Sequence, residues 1–196
     1  MNNSVLYQIM EGESDNFRIA AEINCHRLQQ MPPPNSPQHS PNKIQPQPNL
    51  IWEATSRLAG FKALGTNCVA IILPAMGISD AYLRALKVLI NCATKMNMAI
   101  WCEIPDTTLM TKVTRLKIEE IRRYGALIVM NGFNLHNRIN VIRLHWLKYD
   151  LIILDPATLA LVQHGQAPAF LRKTLDKLRG GTLLVGDPSP SASAQA

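Results

Sequence analysis

Long apolar runs are missing from this chain of 196 residues. The richest run, at 68–76, is half of the roughly 18 residues that a membrane-spanning helix needs, and Pro74 interrupts it. Residues 1–4 contain no basic segment followed by an apolar one, which argues against a secretory signal. We therefore expect a cytoplasmic protein with no membrane segment.

Fingerprints for metals and nucleotides are also missing. The four cysteines, at positions 25, 68, 92 and 102, form no C-x-x-C pair, so a zinc ribbon is excluded. We expect reduced cysteines, three of them inside apolar, strand-like runs. Neither G-x-G-x-x-G nor G-x-x-x-x-G-K-[ST] occurs, so both common phosphate-binding loops are absent. The sequence thus predicts no metal and no cofactor.

Aromatic residues make up 6% of the chain and charged residues 17%, while 47% are apolar, enough for a core. The net charge of +6 is unevenly placed: residues 1–48 hold three basic and four acidic side chains, which leaves +7 on the rest. Such a balance permits an acidic partner or a nucleic acid. No basic block is interleaved with stacking aromatics, so a nucleic-acid partner stays open without further support.

Proline is concentrated in the segment 31–48, which holds seven of the 13 prolines. Proline fixes φ and removes an amide donor, so we expect an exposed loop with no regular structure there. The 30 residues before it are too few to fold alone, and 1–187 is therefore predicted to be one domain. The Pro/Ser/Ala tail at 188–196 is expected to be disordered.

The apolar pattern predicts an α/β protein. Two strands, at 5–10 and 17–25, are close enough to pair in antiparallel fashion. Strands and helices then alternate, which indicates a parallel sheet with right-handed crossovers, either a barrel or an open doubly wound sheet. The predicted helices are 49–64 with Asn49 as a cap, 79–96, 106–124, 136–147 and 168–178, and the predicted strands are 67–73, 98–104, 126–130, 150–154 and 182–185.

Seven short motifs follow one another in a familiar order. They are LYQI at 6–9, EIN at 22–24, AIILP at 70–74, CEIPD at 102–106, NGF at 131–133, DLIILD at 150–155 and LLVGD at 183–187. Together they resemble the L-Y-Q-P-I, E-A-L, V-N-L-S-P, L-E-I-T-E, D-D-F-G, D-x-L-K-I-D and V-V-A-E-G motifs of the EAL domain, the cyclic di-GMP phosphodiesterase family. The resemblance implies a modified TIM-like (β/α) barrel with an antiparallel first strand. It also implies a truncated barrel, because the family's last, glutamine-bearing strand has no counterpart.

The same resemblance implies that the catalytic site is vestigial. Family members hydrolyse a phosphodiester with two divalent metals held by oxygen ligands. Glu22 and Glu103 match two of the carboxylates, and we expect each to be paired with an arginine or with backbone amides. Five other family residues are replaced: the asparagine by Ile71, the two aspartates by Asn131 and Gly132, the lysine by Ile153 and the last glutamate by Gly186. The position of the family's phosphate-binding arginine is occupied by His26, and Arg27 follows it. No hydrolysis is therefore expected.

These substitutions favour a non-catalytic regulator that acts on another protein, similar to the inactive EAL proteins of YdiV type. We expect it to act in bacterial signalling or in the transcriptional control of motility or adhesion. Its partner could be a transcription regulator or a second copy of the chain. Two alternatives remain: a cyclic di-GMP receptor without hydrolysis, which the substitutions disfavour, and a nucleic-acid-associated protein or another enzyme on a TIM-like scaffold. Candidate contact residues come from two basic stretches, and they are Arg115, Arg122, Arg123, Arg172 and Lys173.

Overall fold

The computed structural model describes residues 4–13, 16–28, 48–75, 77–105, 108, 110–134, 137–169, 173 and 183–186. Strands and helices alternate along them after an initial strand pair. The elements are β1 (Ser4–Glu13), β2 (Asn16–Leu28), α1 (Pro48–Ala63), β3 (Cys68–Ile72), α2 (Asp80–Lys95), β4 (Ala99–Glu103), α3 (Lys112–Arg123), β5 (Leu127–Phe133), α4 (Arg138–Trp146), β6 (Leu151–Leu154), α5 (Pro156–Gln163) and β7 (Leu183–Gly186).

The strands form one curled sheet in sequence order. Parallel pairing runs from β2 through β3, β4, β5 and β6 to β7. β1 lies antiparallel to β2 and to β7, so the strand order returns to its start. The predicted α/β class and the curled, TIM-like parallel sheet are confirmed. The described residues contain seven strands where a TIM barrel has eight, so the barrel is partial in that sense.

Two apolar layers follow from the alternation of side chains along each strand. On β4, Ile100 and Cys102 lie in the outer layer, between the sheet and the helices. Trp101, between them, lies in a smaller inner layer enclosed by the strands. The other buried residues of that inner layer are Cys25, Cys68, Ala70, Val129, Leu151 and Ile153. All four cysteines are free, as predicted, and Cys92 is the one that is half-buried.

Helix starts agree with the sequence where a cap is strong. Ser79 caps α2, as predicted, and its Oγ accepts a hydrogen bond of 3.1 Å from the amide of Tyr82. The predicted start of the next helix near residue 106 is wrong, because α3 begins at Lys112. Its N-cap is Thr111, whose Oγ1 accepts from the amide of Thr114 at 3.1 Å.

The prediction of a loop over 31–48 is wrong at its last residue, since Pro48 already belongs to α1. Proline suits the first turn of a helix, where its missing N–H would have no intrahelical partner. Asn49 is then inside the helix and is not its cap. Three other predictions fall outside the described residues: the loop over 31–47, nearly all of the helix 168–178, and the disordered tail 188–196.

One helix, α5, was absent from the sequence prediction. Asp155 is its N-cap, and its Oδ1 accepts from the amide of Thr158 at 2.7 Å. Pro156 follows at the first helical position, so the Asp-Pro pair was the local signal for this start. Among the described residues, no helix combines the length and the apolar character that crossing a membrane requires.

Candidate functional site at the carboxyl ends of the strands

A cluster of three polar side chains lies at the carboxyl ends of the parallel strands, where TIM-like barrels place their sites. Arg27 is the next-to-last residue of β2, Glu103 ends β4, and Asn131 lies late in β5. The Arg27 guanidinium forms an ion pair with Glu103 Oε2 through Nη2. Asn131 Nδ2 donates to the same oxygen at 3.0 Å. We call these three residues the mouth cluster.

The mouth cluster places a carboxylate in a nearly dry environment. Glu103 is 3% exposed, whereas the Arg27 side chain keeps 24% of its surface in contact with solvent. The second oxygen, Glu103 Oε1, is buried and has no hydrogen-bond partner among the described residues. A buried carboxylate requires a compensating charge, and Arg27 supplies it. The expectation that Glu103 is paired is therefore confirmed.

Glu22 is far from this cluster along the sheet. Leu28 on β2 is level with Ile71 on β3, and Ile71 is level with Cys102 on β4. Glu22 precedes Leu28 by six residues, which corresponds to about 20 Å along a strand at ~3.3 Å per residue. The register thus separates the backbone positions of Glu22 and Glu103, which the motif resemblance had brought together.

The other vestigial positions are divided between the two faces of the sheet. Ile71 packs in the outer layer, against the helices, and its neighbour Ala70 faces the interior. Ile153 does lie in the inner layer. Gly132 is exposed and has a φ of 65°, a left-handed conformation that favours glycine. Of the predicted set, the structure brings Glu103 and Asn131 into direct contact.

His26 and Arg27 make contacts on opposite faces of β2. The imidazole of His26 stacks on the Phe61 ring of α1, with centroids 4.1 Å apart. Burial lowers the pKa of His26 below its usual value. Because neighbouring strand residues point to opposite faces, Arg27 is the residue directed at Glu103. The resemblance assigned the family's arginine position to His26, whereas Arg27 is the residue that pairs with Glu103.

A pair of thiols lies deeper in the inner layer. Cys25 and Cys68 are level on adjacent strands, and their Sγ atoms are 3.3 Å apart. Burial is the main cause that raises the pKa of Cys68 well above its usual value, followed by the Cys25 hydrogen bond. Burial likewise raises the pKa of Cys102. Thiols that stay protonated are poor nucleophiles, so the geometry fits core packing.

The basic helix α3 contains both paired and unpaired cations. Arg122 Nε donates to Asp150 Oδ2 at 3.1 Å, and Arg122 Nη1 donates to Glu119 Oε1 at 2.6 Å. This predicted contact residue is therefore already bound within the molecule. Arg115 and Arg123 are exposed and form no ion pair with any residue that the structure describes. Of the other two candidates, Lys173 is exposed and Arg172 lies outside the described residues.

Sequence reasoning missed Arg143, which is 2% exposed on α4. Its Nη2 donates to the carbonyls of Pro105 at 2.8 Å and Ile104 at 3.3 Å, just beyond β4. These bonds tie α4 to the strand end that holds Glu103. No local pattern distinguishes this arginine from a surface one, since only the fold brings α4 over the end of β4.

Metal ligands do not converge in the part of the chain that the structure describes. No group of three or more histidine, cysteine, aspartate or glutamate side chains there could hold a metal ion. The mouth cluster contributes one carboxylate, which already binds a guanidinium. Chemically, the arrangement neutralises a buried charge and connects three strands.

Comparison with known proteins adds a distant structural likeness. No protein-family model and no curated protein matches the chain. The solved structures that align with it include two of Klebsiella pneumoniae BlrP1 in complex with cyclic di-GMP, one with manganese at pH 9.0 and one with calcium at pH 8.0. Each is 15% identical, with a TM-score of 0.45 over 95% of this chain. The chain spans 55% and 54% of those chains, about half their length.

Proposed function

We propose that this chain is a non-catalytic, EAL-like regulatory protein that acts by binding another protein. Its scaffold is a modified TIM-like barrel with an antiparallel first strand, and its setting is bacterial signalling in the cytoplasm. One observation supports the proposal above the others: the buried carboxylate of Glu103 is neutralised by Arg27. A phosphodiesterase of the family type would direct that carboxylate at a metal.

The charge of Arg27 argues against a metal pair at the mouth cluster. Two divalent ions about 4 Å apart need several oxygen ligands that converge on them. Here a guanidinium occupies the side of Glu103 that faces β2. Asn131 presents amide hydrogens to Glu103, and these attract anions rather than cations. Glu22 lies about 20 Å away along the strands and cannot complete the set.

Hydrolysis is tested directly by incubating the protein with cyclic di-GMP and either magnesium or manganese. We expect no product above a protein-free blank. The informative variant is Glu103→Gln, and its matched control is Glu53→Gln, which makes the same change on an exposed surface of α1. Turnover that disappears with Glu103→Gln and persists with Glu53→Gln would refute a non-catalytic function.

Binding without hydrolysis is tested by a titration with cyclic di-GMP, with and without magnesium. We expect no saturable heat signal in an isothermal calorimeter under either condition. Saturable binding without turnover would replace the protein-docking proposal by that of a nucleotide receptor. The cations of α3 would also attract nucleic acid, and such binding should weaken steeply as the salt concentration rises.

A further inference from the structure

The outward side of α3 combines exposed apolar and basic side chains. Its inward side is fixed by three buried residues, Thr114, Ile118 and Ile121. The opposite side carries five exposed residues, Lys112, Val113, Arg115, Leu116 and Arg123, which we call the α3 outer face. Val113 is 61% exposed and Leu116 is 59% exposed, and residues three apart on a helix are neighbours on its surface.

Some charged side chains of α3 form ion pairs and others do not. Both acidic residues do: Glu119 pairs with Arg122, and Glu120 pairs with Lys87 of α2. Lys117 also forms an ion pair, because its Nζ lies 2.7 Å from Asp80 Oδ1.

The remaining cations of α3 belong to the outer face. Lys112, Arg115 and Arg123 have no acidic partner in the described part of the chain. The outer face consequently holds three positive charges that form no ion pair in the described part of the chain, and two exposed apolar side chains lie among them.

We propose that the α3 outer face is the docking site for an acidic amphipathic helix of a partner protein. The inference rests on the proposed function and names the surface and the partner chemistry for it. Carboxylates of the partner pair with Lys112, Arg115 and Arg123, of which the arginines can bind a carboxylate through two parallel hydrogen bonds. Apolar residues of the partner, spaced three or four apart, cover Val113 and Leu116.

An anionic membrane is the rival occupant, and the side chains argue against it. Helices that lie in a membrane interface have a broad apolar face that is often rich in Trp, Phe and Leu. The α3 outer face offers one valine and one leucine, flanked closely by cations. A strip of this width matches the narrow apolar stripe of a single helix better than a lipid surface.

The partner chemistry is tested with a displayed library of random peptides, each about 16 residues and so roughly four helical turns long. Peptides are selected on the immobilised full chain and then synthesised for fluorescence anisotropy. We expect the recovered peptides to be enriched in Asp and Glu and to carry apolar residues three or four positions apart. Recovery of peptides without acidic enrichment overturns the proposal.

Two variants locate the binding surface, Arg115→Glu and Leu116→Ser. Matched controls are Lys62→Glu, which makes the same reversal of charge, and Leu64→Ser, which makes the same apolar-to-polar change, at exposed positions at the end of α1 and just after it. We expect each α3 variant to weaken binding of the best peptide tenfold or more, and each control to change it less than twofold. All four positions are exposed, and thermal melts verify that each variant is folded.

Further outcomes separate the competing explanations. A sequence-scrambled peptide of equal charge should bind at least tenfold more weakly, and equal binding would show unspecific charge attraction and overturn the proposal. Binding to vesicles with phosphatidylserine, lost in both α3 variants while no peptide binds, would assign the face to a membrane instead. Cyclic di-GMP turnover is measured separately, so failure of the docking site and failure of the non-catalytic function are distinguishable.

Discussion

Replacing Arg27 by methionine should destabilise the protein strongly, because Glu103 would keep its burial and lose its charge partner. Removing one member of a buried ion pair costs about 3–5 kcal/mol. The Arg27 side chain is 24% exposed, so water partly compensates, and we expect the lower end, about 3 kcal/mol. In a chain of this size that loss lowers the melting temperature by about 6–12 °C.

The assay is thermal and urea unfolding followed by circular dichroism. A double variant, Arg27→Met with Glu103→Met, should recover most of the loss, since replacing a whole buried pair by apolar residues is often close to neutral. Arg57→Met is the surface control, because Arg57 pairs with Glu53 in an exposed i,i+4 position, and it should cost about 0.5 kcal/mol or less. A loss below about 1 kcal/mol for Arg27→Met, or no recovery in the double variant, would refute this account of the mouth cluster.

Three further perturbations follow from the contacts and pKa shifts. A thiol reagent should modify the half-buried Cys92 first in the native protein and should reach the other three cysteines only on unfolding; rapid native labelling of Cys68 would contradict its burial. The lowered pKa of His26 means that the unfolded state binds its proton more readily, so stability should fall as the pH drops below about 6.5, and His26→Phe should reduce that slope. An unchanged slope in unfolding free energies measured between about pH 7.5 and 5 would exclude this contribution. Arg122→Ala should lower the free energy of unfolding in urea by about 1–2 kcal/mol, and Arg123→Ala by about 0.5 kcal/mol or less. The reason is that Arg122 pairs with two carboxylates, whereas Arg123 forms no ion pair in the described part of the chain. Equal losses would show that the ion pairs of Arg122 contribute little.

The sequence by itself determined the alternation of elements and several of their ends. Apolar periodicity and local capping residues act over a few positions, so they can be recognised without a structure. Ser79 starts α2 as predicted, and Gly125 follows the end of α3 with a φ of 106°. The outer-layer residues of the central strands were equally predictable as core, because their runs are continuously apolar.

Only the tertiary structure decided which residues meet at the candidate site. Strand register and facing depend on pairing with distant strands, so they placed Glu22 away from Glu103 and turned Arg27, not His26, towards it. Arg27 and Glu103 are 76 residues apart, a separation that no local pattern reports. The same holds for α3, where the fold determined which cations find carboxylates on other elements and which remain on the surface. Local patterns therefore predict whether a segment is a helix or a strand, whereas contacts between elements determine which charged side chains form ion pairs.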